Sequence, residues 1–299
     1  MDRILLTGYS GFTGSFILEL AARKKIRIFC LSEDGKASSA PIDLLDYRAV
    51  NEKIREINPT SLIHLAALSH VQHEPAADFY GINVGGSRNL VQAMASLDSG
   101  LVNCVFASSA NVYGNSHEIV LHENDPLSPV NDYGLSKKGM EEMLYLWRYR
   151  LPITITRPFN YTGLGQKNEF LIPKIVSAFK ARQTELELGN LTVSRDFSDV
   201  RFIAQAYLTL ACQTSEFRIL NLCSGTLTSI NEIISLCSQI TGHHLNVISK
   251  PEFIRKNEIL KLKGATENME RALGYKSGYT LRDTLSWMLL NNFSSSKNL

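Results

Sequence analysis

Through the first half of the chain, short apolar runs alternate with longer segments whose apolar residues recur at helical spacing. The runs "RILLTG", "IRIFCL", "SLIHLAAL", "NCVFASS" and "ITITRPF" are apolar on successive residues and rich in β-branched side chains. Such runs read as strands buried on both faces. Residues 14–24, 47–57, 79–97 and 133–147 carry the helical period between them. Strands of this kind separated by helices predict a parallel sheet covered on both sides, because each crossover helix must return over the sheet. The fold class is therefore α/β, with a doubly wound parallel sheet.

The pattern changes after Asn160. The stretch "YTGLGQKNEF" reads as a loop, residues 171–182 as a helix, "VSRDFSDVRFIAQAYLTLA" as a loop feeding a helix, and "RILNLCSG" as a further strand. A smaller mixed α/β region packed on the first follows, with the crevice between them as the natural ligand site. The Ser-rich stretches at Ser38-Ser39 and 294–296 read as a loop and a frayed tail.

With 299 residues and 44% hydrophobic content, the chain can bury one large core or two modest ones. Its net charge is +2 and its longest basic run is "RKK" at 23–25, so nothing in the charge pattern points to nucleic acid or an anionic membrane. A small-molecule partner fits better. The start "MDRILLTGYS" lacks the features of a signal peptide, and no apolar run reaches the roughly 18 residues of a membrane span, so a cytoplasmic protein is expected. Cys30, Cys104, Cys212, Cys223 and Cys237 form no C-x-x-C pair and read as free thiols. His70 and His73, like His243 and His244, find no further ligands at metal spacing, so no metal is expected.

Two motifs carry chemistry. In "LLTGYSGFTGSF", Gly8, Gly11 and Gly14 stand between a predicted strand and a predicted helix at the start of the first βαβ unit. That is the Rossmann-type context in which backbone N–H groups at a helix N-terminus receive a pyrophosphate. Gly8 permits the tight turn, Gly11 the close approach of backbone to phosphate, and Gly14 the packing of helix on strand. The second strand ends at Ser32, followed by Glu33 and later Lys36, which leaves NAD and NADP both open. The second motif is "DYGLSKKGMEE", which sets Tyr133 and Lys137 four apart on one helix face. An ammonium beside a phenol stabilises phenolate and would bring the tyrosine pKa from ~10 toward neutrality, making Tyr133 a proton donor or acceptor at a carbonyl or alcohol. Ser109, at the carboxyl end of "NCVFASS", could hydrogen-bond the same substrate oxygen.

The segments "TGYSGFTG", "HLAAL", "NVGGSRNL", "SSANVYG" and "YGLSK" together resemble the extended short-chain dehydrogenase/reductases, and the resemblance covers nearly the whole chain. It implies a catalytic set of Ser109, Tyr133 and Lys137 and a cofactor NAD(P)H. Cofactor contacts implied are Gly8, Gly11, Phe12, Gly14, Ser32, Asp43, Leu44, Leu65, Ala66, Ala67 and Lys137. "RPFNYTGLGQ", "SRDFSDVR" and "RILNLCSG" are most similar to the GDP-4-keto-6-deoxy-mannose reductases and the related GDP-mannose dehydratases of that family. The implied substrate is a nucleotide sugar held by Ser69, Ser109, Asn111, Asn160 and Arg195, with Arg255 as a second phosphate ligand and Glu258 on the nucleoside ribose. Arginine forks suit phosphate oxygens. In the segment "FIRKNEI", Lys256 stands where the family usually has proline. The resemblance also implies interleaved domains, with residues 1–161 and a returning 194–224 binding NAD(P), and 162–193 and 225–299 binding the substrate. It further implies a homodimer paired through the helices 79–97 and 133–147.

Dehydration is disfavoured, because Ala110 and Asn111 follow Ser109 where dehydratases of the family place a carboxylate, and an amide does not exchange protons near pH 7. The expected function is a nucleotide-sugar 4-ketoreductase acting on a GDP-4-keto-6-deoxyhexose, with Tyr133 as proton donor. A 4-epimerase would use the same residues twice, and a non-catalytic dinucleotide sensor would use the fold alone.

Overall fold

The computed structural model describes residues 3–31, 42–68, 75–97, 100–253 and 259–291. Six parallel strands form the main sheet: β1 (Arg3–Thr7), β2 (Arg27–Leu31), β3 (Ser61–His64), β4 (Asn103–Ala107), β5 (Ile153–Pro158) and β9 (Arg218–Leu222). Their order is β2-β1-β3-β4-β5-β9. Alternate side chains of each apolar run feed two cores, as the period of two requires. Ile4 and Leu6 of β1, Ile63 of β3 and Val105 of β4 pack with Ile17 and Ala21 of α1 (Phe12–Lys24) and with Phe202, Ile203 and Tyr207 of α7 (Val200–Ala211). On the other face Leu5, Leu62, Cys104 and Phe106 pack with Val50 and Ile54 of α2 (Tyr47–Ile57), and with Leu90 and Met94 of α4 (Ser87–Met94). Met140 and Leu144 of α5 (Asp132–Tyr145) complete that side.

The single helix expected over 79–97 is broken into three pieces. A short α3 (Ala77–Phe79) leads into a π-helix, Tyr80–Gly86, and only then into α4. Gly85 and Gly86 hold an α-helix weakly, and the wider turn carries Asn83, whose side chain is engaged with other segments.

The rest of the chain forms a second layer. Phe159 alone separates β5 from β6 (Asn160–Thr162), so the chain passes directly from the main sheet into a second one. That sheet contains β6, β8 (Ser194–Asp199), β10 (Leu227–Ser229) and β12 (Lys261–Leu262), and β6, β10 and β12 each pair with β8. The segments around β6 and β8, expected as loops, are thus strands. Short polar runs such as "SRDFSD" have no apolar period, and they become strands because partners from three distant segments satisfy their backbone. The pair β7 (Glu185–Leu188) and β11 (Asn246–Ser249) lies beside α6 (Leu171–Lys180), α8 (Ile230–Thr241) and α10 (Leu281–Leu290). Ile175, Phe179, Leu186, Phe197, Ile233, Leu285 and Met288 make that core. The last helix of the first core, α9 (Glu267–Leu273), brings Met269 and Leu273. Among the described residues no helix is long and apolar enough to cross a membrane.

Candidate active site

The chain leaves β1 on one side for β2 and returns to its other side for β3. The carboxyl ends of β1 and β3 therefore flank a crevice, the place where open α/β sheets bind ligands. Gly8 stands at the end of β1 with φ +71°, and a Cβ there would come within 2.7 Å of the Ala66 nitrogen beyond β3. Leu65 and Ala66 are turned toward β1 by N–H bonds to the carbonyl and the hydroxyl of Thr7, at 3.3 and 3.2 Å. Gly11 caps α1 in an extended conformation and contributes no side chain, leaving the first N–H groups of the helix without a side-chain cap. A Cβ on Gly14 would lie 2.4 Å from the Gly8 carbonyl and 2.5 Å from the Tyr9 Cα. The three glycines therefore make a cradle that Cβ atoms would fill, closed by an uncapped helix N-terminus, and this fits a dinucleotide pyrophosphate.

Other expected cofactor contacts fall differently. The Phe12 ring stacks on Tyr161 of β6, with centroids 6.2 Å apart, while the Thr13 and Tyr161 hydroxyls bond at 2.8 Å. Asp43 is exposed and accepts the Leu45 N–H at 2.8 Å. Leu44 is buried in the core against Gly86. Ala67 is half-buried beside Ala66. Ser32, Ser69, Arg255 and Glu258 lie outside the described residues, as do His70 and His73.

Ser109, Asn111, Tyr133 and Lys137 come together at the carboxyl end of β4. Ser109 caps a 3-10 turn, Ala110–Tyr113, and its oxygen accepts from the Asn111 N–H at 3.1 Å and from the Asn111 side-chain amide at 3.0 Å. With its acceptor capacity used, the Ser109 hydroxyl donates to the Tyr133 phenol. Gly134 lets α5 close on this turn, since a Cβ there would meet the Asn111 carbonyl at 2.8 Å. Lys137 is buried, and its ammonium donates to the Ala107 carbonyl at 2.7 Å.

The expectation that Lys137 lowers the Tyr133 pKa is corrected. Burial pushes the phenol up to about 12, and the Ser109 hydrogen bond offsets only part of that rise. The desolvation cost of a buried phenolate outweighs the nearby cation, whose Nζ is held on a main-chain oxygen. Burial also presses the Lys137 ammonium down to about 8, with Glu141 pulling it back up.

Two buried polar networks support these groups, and neither is visible as a motif. In the first, Ser87 donates to the Asn83 carbonyl, so its oxygen accepts from His64 Nε2; His64 Nδ1 then accepts from Thr7. This assigns the neutral Nε2–H tautomer, in keeping with a His64 pKa pushed down to about 3 by burial and by the Lys137 charge. The Asn83 amide clamps both backbone groups of Leu68 and donates to Ser136, which donates to the Tyr133 carbonyl. In the second network Glu141 accepts from Ser108 and pairs with Arg157 at 2.6 Å, and Arg157 reaches the Tyr113 hydroxyl and the Glu123 carbonyl. Only the spacing of Glu141, one turn beyond Lys137, could have signalled it from sequence.

Asn160 and Arg195 sit on paired strands of the second sheet, with Asn160 opposite Phe197. Asn160 is exposed, and the half-buried Arg195 donates to the Ser194 and Leu260 carbonyls, each at 3.1 Å.

The profile of the NAD dependent epimerase/dehydratase family matches residues 4–223. The GDP-6-deoxy-D-talose 4-dehydrogenase of Aggregatibacter actinomycetemcomitans is 32% identical to the chain over 279 residues, covering 93% of each protein. The GDP-6-deoxy-D-mannose reductase of Pseudomonas aeruginosa is 29% identical over 305 residues, covering 96% of each. The solved structure of RMD from Pseudomonas aeruginosa complexed with NADPH superposes with a TM-score of 0.85 at 28% identity, over 97% of each chain. A glycine cradle at the switch point and a family match over most of the chain lead to one conclusion: this protein is a member of the NAD dependent epimerase/dehydratase family, and its cofactor is NAD(P).

Proposed function

We propose that the chain is a nucleotide-sugar 4-ketoreductase that reduces C4 of a GDP-4-keto-6-deoxyhexose, with Tyr133 as the proton donor. The observation that carries this reading is the state of Tyr133. Its phenol is buried, stays protonated far above neutral pH, and accepts from Ser109, so its own O–H is free to point at a substrate oxygen. A bound nicotinamide supplies the hydride. Tyr133 then gives its proton to the ketone oxygen as negative charge develops there, and Ser109, donating to the Tyr133 oxygen, stabilises the phenolate that forms. Lys137, charged below about pH 8, offsets the phenolate left behind. The proton and the hydride together convert the C=O to CH–OH, which closes the balance.

The names of the two curated relatives support the substrate class: one oxidises C4 of a GDP-6-deoxyhexose, the other is a GDP-6-deoxyhexose reductase, and C4 oxidation is ketoreduction read backwards. Asn111 supports reduction over dehydration, since its amide is spent on Ser109 and cannot act as acid or base. Asn160 and Arg195 are assigned to the sugar diphosphate. The exposed apolar side chains Leu135, Tyr145 and Leu146 in and just beyond α5 support a homodimer joined there, which light scattering checks.

The test is mass spectrometry of products from a panel of nucleotide 4-keto-6-deoxy sugars with NADPH or NADH. Reduction adds two hydrogen masses and consumes cofactor. A product of unchanged mass from a nucleotide hexose, with no net cofactor consumption, would show a 4-epimerase instead.

A further inference from the structure

Glu141 is a buried carboxylate that the reaction described above does not use. It lies four residues beyond Lys137 on α5, hence on the same helix face one turn away. Its oxygens are fully engaged. Ser108 donates to Oε1; Arg157 Nε donates to Oε1 and Oε2 at 3.0 and 3.2 Å, and Arg157 Nη2 to Oε2 at 2.6 Å. Ser108 is the residue next to Ser109, so Glu141 grips the strand end that carries the Ser109 hydroxyl.

We propose that Glu141 is a positioning residue of the reaction: its carboxylate, buried one turn beyond Lys137 on the same helix face, sets a negative charge beside that ammonium, and through Ser108 it fixes the end of β4 that presents Ser109. The inference rests on the ketoreductase reading only for the consequence on turnover. The charged and titratable groups around Lys137 are few. Among the described residues, Glu141 acts on it from its own helix, which also carries Tyr133 one turn earlier, neutral His64 lies near it from β3, and Arg157 stands behind Glu141 from β5. β4 contributes the neutral Ala107 carbonyl. Glu141 is the one anion among these groups. Side chains one helical turn apart lie about 5–6 Å apart at Cβ, and in a site shielded from water an opposite charge that near moves a titration by about one to three pH units. Burial alone drives Lys137 toward the neutral amine, and Glu141 opposes it. Arg157 Nη2 pairs with the Glu141 carboxylate at 2.6 Å, and of these two charges it is Glu141 that acts on Lys137.

The test uses the full-length protein and two readouts. The first is the titration of the Lys137 Nζ by nitrogen-15 NMR with labelled lysine, assigned with Lys137→Met; it needs no substrate. The second is the pH profile of ketosugar turnover. Glu141→Gln removes the charge at nearly constant shape and should lower the Lys137 midpoint by about one pH unit or more. The basic limb of the turnover profile should move down with it. Glu141→Asp keeps the charge and should leave the midpoint near that of the parent while loosening the Ser108 contact. Because Glu141→Gln strands a buried Arg157 and can unfold the chain, the double variant E141Q/R157M serves as the second case. It removes both charges and should still lower the midpoint. A midpoint unmoved in a folded Glu141→Gln or double variant overturns the inference, as does an equal drop in Glu141→Asp. A midpoint that falls as expected in a protein that turns over no ketosugar upholds the electrostatic role and refutes the ketoreductase reading instead.

Discussion

Replacing Gly14 by alanine adds one methyl group at the tightest backbone contact of the glycine-rich turn. Built on the existing backbone, the new Cβ would lie 2.4 Å from the Gly8 carbonyl oxygen, 2.5 Å from the Tyr9 Cα and 2.7 Å from the Tyr9 carbonyl oxygen. Ordinary contact begins near 3.4 Å, so α1 and the turn must separate by about 1 Å, and every clashing atom is backbone that cannot rotate away. Overpacking of this kind costs about 1 to 3 kcal/mol of stability. A 1 Å displacement of a positioned group costs about 100-fold in function, and here it separates the uncapped start of α1 from Gly8. NADPH affinity, followed by fluorescence titration, should therefore weaken by about 100-fold, while circular dichroism still reports a folded protein. Gly81→Ala is the control, because no atom lies within 4 Å of a Cβ there, and it should bind cofactor like the parent. If Gly14→Ala binds NADPH within threefold of the parent, the turn does not hold the pyrophosphate as the cradle geometry implies.

Other expectations separate the parts of the site. Tyr133→Phe should reduce ketosugar turnover by about 100-fold or more with cofactor affinity unchanged, whereas Lys137→Met should weaken both; steady-state kinetics beside cofactor titration distinguishes them, and near-parental turnover in Tyr133→Phe refutes the acid role. Arg195→Ala should weaken GDP-sugar binding by about 2 to 5 kcal/mol in calorimetry and leave NADPH binding alone; unchanged sugar affinity would take Arg195 out of the site. His64 has its folded pKa pushed below the ordinary value to about 3, so the neutral ring's contribution to stability is complete above about pH 6.5 and is lost as pH falls toward 3. Urea unfolding across that window should lose stability at up to about 1.4 kcal/mol per pH unit for this group. His64→Gln, which can bond both Thr7 and Ser87 without titrating, should flatten that slope; an equal slope would show that other groups govern acid unfolding.

The linear sequence by itself determined the features whose physics is local. Continuous β-branched runs at β1, β3, β4 and β5 can only be buried on both faces, so the parallel sheet and its crossover helices follow from periodicity. Gly8, Gly11 and Gly14 between strand and helix, and Tyr133 with Lys137 at four-residue spacing, are likewise local. What depended on segments far apart in the chain was decided only by the fold. "SRDFSD" became β8 because β6, β10 and β12 meet it. The 79–97 segment took up a π-helix where Asn83 reaches Leu68 and Ser136. The direction in which Tyr133 titrates was also tertiary. Spacing places an ammonium on the phenol's helix face, but the Ala107 carbonyl takes the Lys137 N–H, and burial between two packed layers raises the phenol instead of lowering it. Desolvation depends on everything packed around a group, most of it distant in sequence, whereas helical spacing constrains only the next turn.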